Sequence, residues 1–174
     1  MSLLQIGVRA KFALTSRETA SGQARREMER TLAVADRLGA EMSARPVRVP
    51  AMAGIDPEMR EWSVFMILEH DTIVSCEITG IVNDLASGGD VRPRIDMKTG
   101  VMPSPDAGAE HVEAFRDSIL RHLDTIRKLP RLRGTQRLRH PVFADLDAHG
   151  WHCMFAFHLM LHRRQAEAIA KRLK

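Results

Sequence analysis

The sequence contains little cysteine and few aromatic residues. Only two of its 174 residues are cysteine, none is tyrosine, and aromatic residues make up 5%. Cys76 and Cys153 lie far apart in the chain and form no CxxC pair, so a disulfide framework and a cysteine-rich zinc site are both unsupported. We interpret both cysteines as small buried residues in a protein of the reducing cytoplasm.

Long hydrophobic runs are also lacking. The most apolar windows, around 62–68 and 153–161, are short and flanked by charge or histidine, so neither is expected to span a bilayer. Arg9 and Lys11 follow no long apolar stretch, which argues against a secretory signal. The excess of 26 basic over 22 acidic residues is modest, and few aromatic rings are present to stack on bases. We therefore expect a cytoplasmic protein with no membrane association and no specific nucleic-acid partner.

Amphipathic stretches are what the sequence does contain. Proline and glycine cluster at three places and divide the chain into four stretches with apolar residues at three- and four-residue steps. The second stretch has a clear start signal, because Asp56 can act as N-cap and Pro57 suits the first helical position. The prediction is a single all-α domain over residues 1–174, a four-helix bundle. Its helices are predicted over 15–43, 57–87, 109–129 and 148–173.

Three histidines fall on the apolar faces of two of these helices. His158 and His162 are one helical turn apart on the fourth helix, so both imidazoles can reach one ion. His70 lies within the apolar stripe of the second helix. Buried imidazoles need polar partners, and three neutral imidazoles with open positions are typical of a catalytic metal site. Alternatively, His158 and His162 are surface or capped histidines, and His70 is a lone core histidine bonded to a backbone carbonyl.

The ordered set of motifs around these histidines resembles the DinB-like superfamily. The resemblance covers about half of the chain and departs from the usual pattern at Ala144-Asp145, where relatives often have glycine after the phenylalanine. The residues that carry it are Glu61-Trp62-Ser63 through Leu68-Glu69-His70, His140-Pro141-Val142-Phe143, Trp151, and His158 with His162 and Gln165.

The resemblance implies a fold, a ligand set and a class of reaction. It implies an up-up-down-down four-helix bundle, often a homodimer, in which His70, His158 and His162 bind one divalent ion, zinc or nickel. Better-understood relatives are metal-dependent enzymes that attach or use a low-molecular-weight thiol. The preferred hypothesis is therefore a metal-dependent transferase or hydrolase acting on a small-molecule substrate or thiol. The alternatives are a non-catalytic metal-binding or sensor protein and a basic DNA-associated protein.

Other polar residues are weaker candidates for this site. Glu77 shares the face of His70 and could act in the pocket, although an ion pair with an arginine is the preferred interpretation, and Glu69 is interpreted as a solvated or interhelical charge. The basic segment Arg127–Arg139 could receive an anionic substrate, the carboxylates of a thiol cofactor or phosphate, or be a solvated loop. The loop 88–108 is long enough to be a functional cover or a crossover.

Overall fold

The computed structural model describes residues 3–173, except the side chains of residues 3 and 4, and it is mostly helical, as predicted. Among these residues it contains five α-helices, one 3₁₀ helix and one two-stranded hairpin. In chain order they are α1 Leu3–Leu14, α2 Arg17–Ser43, the 3₁₀ helix Pro57–Glu61, α3 Val64–Ser87, α4 His111–Lys128, β1 Leu138–His140, β2 Ala144–Leu146 and α5 Ala148–Arg172.

Helix α5 lies at the centre of the packing. It packs against α1, α2 and α3, and α3 packs in turn against α4. Apolar side chains of α5 such as Trp151, Phe155 and Ile169 are almost completely buried, so this helix is enclosed on most of its surface. A polar side chain on α5 is therefore placed inside the protein and requires a partner there.

The start of α3 differs from the prediction. Asp56 precedes only the short 3₁₀ helix and makes no side-chain capping bond, whereas the Ser63 hydroxyl accepts the Met66 N–H at 3.1 Å and caps α3. The backbone around Trp62 is extended, because Val47 N–H donates to the Trp62 carbonyl at 3.2 Å. This extended residue sends the Trp62 side chain into the core, where it is 2% exposed.

Two elements lie outside the predicted set. Helix α1 is stabilised by tertiary contacts rather than by capping signals, since the buried Phe12 makes edge contacts with Phe143 and Phe157. The hairpin pairs Leu138 with Leu146 and His140 with Ala144 in antiparallel register. Ala144, at the position where the resemblance leads one to expect glycine, has a left-handed backbone with φ of 56°.

The loop 88–108 runs back along α3. Glu77 Oε1 accepts the Arg94 N–H at 2.7 Å, and Glu69 Oε2 accepts the Ser104 N–H at 2.7 Å. Glu77 is therefore satisfied by a backbone amide rather than by the expected ion pair. Gly80 leaves room for this path, because a Cβ there would lie 1.5 Å from the Arg94 guanidinium.

The two cysteines differ in exposure. Cys153 is buried, as predicted, but Cys76 is exposed, so its interpretation as a buried residue was wrong. Cys76 lies on α3 between the buried residues Ser75 and Glu77. Because successive helical residues point in different directions, its side chain faces outward although both neighbours are buried. In the described part of the chain, no helix combines the length and the apolar character needed to cross a lipid bilayer.

Candidate metal centre

The three predicted histidines meet where α3 packs on α5. The ring centroids of His70 and His162 are 4.6 Å apart, and those of His158 and His162 are 4.5 Å apart. Asp71, the neighbour of His70 in the chain, joins them. One ligand atom from each of these four residues lies within 4.8 Å of the others, so the group could hold a metal ion. We refer to His70, Asp71, His158 and His162 as the His/Asp cluster.

Hydrogen bonds fix the tautomers of two of the histidines. His70 Nδ1–H donates to the Val101 carbonyl at 2.7 Å, and His162 Nδ1–H donates to Gln165 Oε1 at 2.9 Å. The amide of Gln165 is itself oriented, because its nitrogen donates to the Met59 carbonyl at 2.6 Å. Both histidines are thereby left with an Nε2 lone pair, which is how metal-ligating imidazoles are usually held.

The remaining polar atoms of the cluster have no such partners. His70 Nε2, His158 Nε2 and both carboxylate oxygens of Asp71 are buried without a hydrogen bond. His158 Nε2 and Asp71 Oδ1 lie 3.2 Å apart but are not aligned as donor and acceptor. An unpaired buried carboxylate is costly, and atoms that converge without bonding to one another are suited to a shared cation.

The titration behaviour of the cluster favours neutral imidazoles. Burial lowers the pKa of His70 to about 4 and the pKa of His158 to about 4, and it lowers the pKa of His162 well below its usual value. Burial raises the pKa of the Asp71 carboxyl to about 6. Near neutral pH the three rings therefore offer lone pairs and Asp71 carries the one negative charge among them.

A cavity of about 500 Å³ opens onto the histidines. Apolar and polar side chains both border it, and Trp62 stacks on His162 from outside it, with ring centroids 6.0 Å apart. The His158 side chain is 19% exposed, whereas Asp71 is completely buried and does not border the cavity. The cavity is bordered by all three histidines together with residues of the segment 54–59, α3, the loop 88–108, the hairpin turn and Met154.

The structure places the other candidates around or away from this cavity. The loop 88–108 contributes Asp96, Met97, Lys98 and Val101 to the cavity wall. No arginine of the segment Arg127–Arg139 borders it; Arg127 pairs with Asp124 at 2.6 Å, and Arg133 donates to the Ala13 carbonyl at 2.8 Å. The arginines of this basic segment therefore do not form part of the cavity wall, although Arg139 directly precedes His140, which does.

Asp71 is the residue of the cluster that sequence reasoning missed. Adjacent helical residues point about 100° apart, so the apolar stripe that contains His70 does not by itself include the next residue. The cluster lies in the seam between α3 and α5, however, and residues on both edges of that seam converge there. The available signal was an aspartate next to His70, between the apolar stretch Val64–Leu68 and the apolar pair Ile73–Val74.

Fold and site together define a mostly helical protein with a buried His/Asp group that could hold a metal ion. Comparison with protein-family models, with curated proteins and with solved structures found no match to this chain.

Proposed function

We propose that this protein binds one divalent ion, zinc or nickel, through His70, His158 and His162. The observation that carries the proposal is the set of unpartnered buried atoms: His70 Nε2, His158 Nε2 and the Asp71 carboxylate. Without a cation these atoms are desolvated and uncompensated, which costs free energy. A divalent ion would accept the imidazole lone pairs, and Asp71 would offset part of its charge.

The proposal extends to a metal-dependent enzyme of transferase or hydrolase type. A bound ion would polarise a substrate oxygen or lower the pKa of a thiol or water. The cavity supports this function, because it borders all three histidines and gives a small molecule a route to them. A low-molecular-weight thiol as co-substrate remains part of the proposal through the resemblance.

Membership of the DinB-like superfamily is proposed on the same grounds. The motif residues that carry the resemblance are far apart in sequence, yet His70, His140, His158 and His162 all border one cavity. Gln165 and Trp62, from the same motifs, contact His162 directly. The up-up-down-down four-helix bundle and the homodimer belong to this proposal, and light scattering coupled to size-exclusion chromatography would measure the oligomeric state.

A non-catalytic metal or sensor site is favoured by one observation, namely Asp71. If its carboxylate binds the ion directly, three nitrogens and one oxygen complete the four ligands of a closed structural zinc site. The two functions differ in whether a position remains for an added ligand. X-ray absorption spectroscopy of the zinc-loaded protein would distinguish them: a shell that changes when a small thiol is added supports the enzyme, and an unchanged four-ligand shell supports the structural site.

Metal titration with alanine variants tests the proposal. We expect about one zinc or nickel ion per chain by elemental analysis. His70→Ala, His158→Ala and His162→Ala should each weaken binding by more than the roughly 10- to 100-fold that loss of a ligand's hydrogen-bond partner costs. His111→Ala is the matched control, since His111 lies near Glu69 and Glu110 and does not border the cavity. Equal metal binding by wild type and all three variants would refute the proposed site.

A further inference from the structure

We propose that His140 binds the substrate of the metal cavity, donating a hydrogen bond from Nε2–H to a carbonyl-type or carboxyl-type oxygen. This inference rests on the proposed metal site and adds a residue that does not bind the ion. It assigns the substrate class as compounds with an acceptor oxygen close to the atom that reaches the metal. Three features of the structure support it: the tautomer, the surroundings of the ring and the attachment of its turn.

The backbone of the hairpin turn fixes the tautomer of His140. Its Nδ1 accepts the Val142 N–H at 3.0 Å and the Phe143 N–H at 3.2 Å. A nitrogen that accepts two amide protons carries no proton of its own. In the neutral ring the proton must therefore be on Nε2, so this atom is a donor.

The ring packs against two aromatic side chains and borders the cavity. Phe143 and Trp151 pack against it, each with a centroid separation of 5.1 Å, and the Nδ1 edge faces the turn. His140 borders the cavity of the three histidines, and it is near enough to His158 to contribute to the lowered pKa of that ring. Burial lowers the pKa of His140 itself to about 4, so the ring is a neutral donor near pH 7.

The turn that carries His140 is held from its other side by α1. Gln5 donates to the Val142 carbonyl at 3.0 Å, and Arg9 donates to the Phe143 carbonyl at 2.7 Å. The backbone N–H and C=O groups of Val142 and Phe143 are therefore all hydrogen bonded. A donor on such a fixed support is preorganised, and it needs little rearrangement when a ligand oxygen arrives.

The other polar side chains that border the cavity, apart from the three histidines, are charged and do not offer a neutral hydrogen-bond donor. The cavity is bordered by three carboxylates, Asp56, Glu58 and Asp96, and by one amine, Lys98. Carboxylates accept hydrogen bonds and cannot donate them when ionised. A ligand oxygen near the ion therefore finds its neutral donor in His140.

Two variants separate the two nitrogens of His140. In His140→Asn the amide oxygen takes the place of Nδ1 and can accept the turn amides, while the Nε2 donor is lost. In His140→Gln the amide nitrogen takes the place of Nε2, while the Nδ1 acceptor is lost. Acetohydroxamate, whose oxygens chelate zinc, is the probe. Its affinity for the zinc-loaded protein should fall about 3- to 10-fold in His140→Asn and change less in His140→Gln.

Zinc uptake and the tautomer are measured alongside. Both variants should bind zinc as wild type does, and ring-nitrogen chemical shifts of the metal-free wild type should place the proton of His140 on Nε2. Equal acetohydroxamate affinity in wild type and His140→Asn, or a proton on Nδ1, would overturn the role of His140 alone. A wild-type protein that takes up neither zinc nor nickel would overturn the proposed function and this inference with it.

Discussion

At the scale of single residues, Asp71 is the one acidic side chain of the His/Asp cluster. Its carboxylate is completely buried and lacks hydrogen bonds, while the three imidazoles beside it are neutral near pH 7. The folded metal-free protein therefore carries a charge that its surroundings do not compensate. With an ion present, the same charge becomes favourable.

Replacing Asp71 with asparagine should have opposite effects with and without metal. Because the pKa of this carboxyl rises on folding from 3.8 to about 6, ionised Asp71 destabilises the metal-free protein above pH 6. Asp71→Asn should therefore raise the free energy of unfolding of the metal-free protein by about 1–3 kcal/mol at pH 7.5. It should weaken zinc binding at the same pH.

Urea denaturation and zinc titration measure these two effects. Asp36→Asn is the matched control, because Asp36 is exposed on α2 and its substitution should change stability by less than about 0.5 kcal/mol. A metal-free Asp71→Asn protein that is less stable than wild type would show that the carboxylate has partners in the folded state.

The part of the site that depends on helical periodicity could be predicted from the sequence. His158 and His162 share a face because they are one turn apart, and that face is buried because its neighbours are apolar. Periodicity could not reveal Asp71, since its role depends on how α3 is rotated against α5. Nor could it reveal that Val101, distant in sequence, orients His70, because such contacts are set by the path of a loop.

At the scale of elements, α2 contains a break at Gly39. This residue has φ of 72° and ψ of 171° inside an otherwise helical segment, a conformation that is essentially restricted to glycine. Met28, Thr31 and Ala35 share one face of α2 before the break and are buried. Leu38 and Met42, which continue the same spacing, are only partly buried.

The same glycine-to-alanine change should have opposite signs on two helices. A Cβ at Gly39 meets nothing within 4 Å, so the cost of Gly39→Ala is conformational, about 1–3 kcal/mol of destabilisation. Gly7 on α1 also has open space around it and no positive φ. Gly7→Ala should therefore stabilise the protein by roughly 0.5–1 kcal/mol. Thermal unfolding of both variants beside wild type is the measurement, and stabilisation by Gly39→Ala would mean that α2 is continuous in solution.

Most long helices were predictable from sequence, and the short elements were not. The predicted stretch 148–173 and helix α5, Ala148–Arg172, nearly coincide, because an N-cap and a long apolar pattern mark that helix locally. The start of α3 was predicted too early, since the pairing of the Trp62 carbonyl with Val47 overrides the Asp56-Pro57 signal. Helix α1 and the hairpin depend on contacts with α5 and with each other, which no local pattern encodes.

At the scale of the whole molecule, buried histidines make the fold sensitive to acid. Besides the His/Asp cluster, His122 and His152 are fully buried and hydrogen bond to each other at 3.0 Å. Burial lowers the pKa of His152 to about 4 and lowers the pKa of His122 well below its usual value. The unfolded chain, with ordinary histidines, binds more protons than the folded one below pH 6.5.

Stability of the metal-free protein should therefore decrease as the pH falls from about 6.5 toward 4. Asp71 acts in the opposite direction over part of this range, because its pKa is raised, but the depressed histidines outnumber it. Urea midpoints measured at half-unit steps of pH would show the decline. Saturating zinc should raise the midpoint at pH 7.5. This effect should shrink below about pH 6, where Asp71 loses its charge, and disappear near pH 4, where protons compete for the imidazoles. A flat profile between pH 7 and 4.5 would contradict this prediction.

The path of the loop 88–108 sets a limit on how its length can vary. Arg94, Val101 and Ser104 are bonded in turn to Glu77, His70 and Glu69, so successive loop residues match successive positions of α3 read backwards. Adding or deleting one residue between 94 and 101 would put the Arg94 and Val101 bonds out of register with α3 and should release the His70 ring. Gly88 and Gly89 are also bonded to α3, through the Asp84 carbonyl, whereas residues 90–93 make no such bond in the described structure. We expect length variation among natural homologues to concentrate in 90–93, and a short peptide tag inserted between Val91 and Arg92 should leave the His/Asp cluster intact.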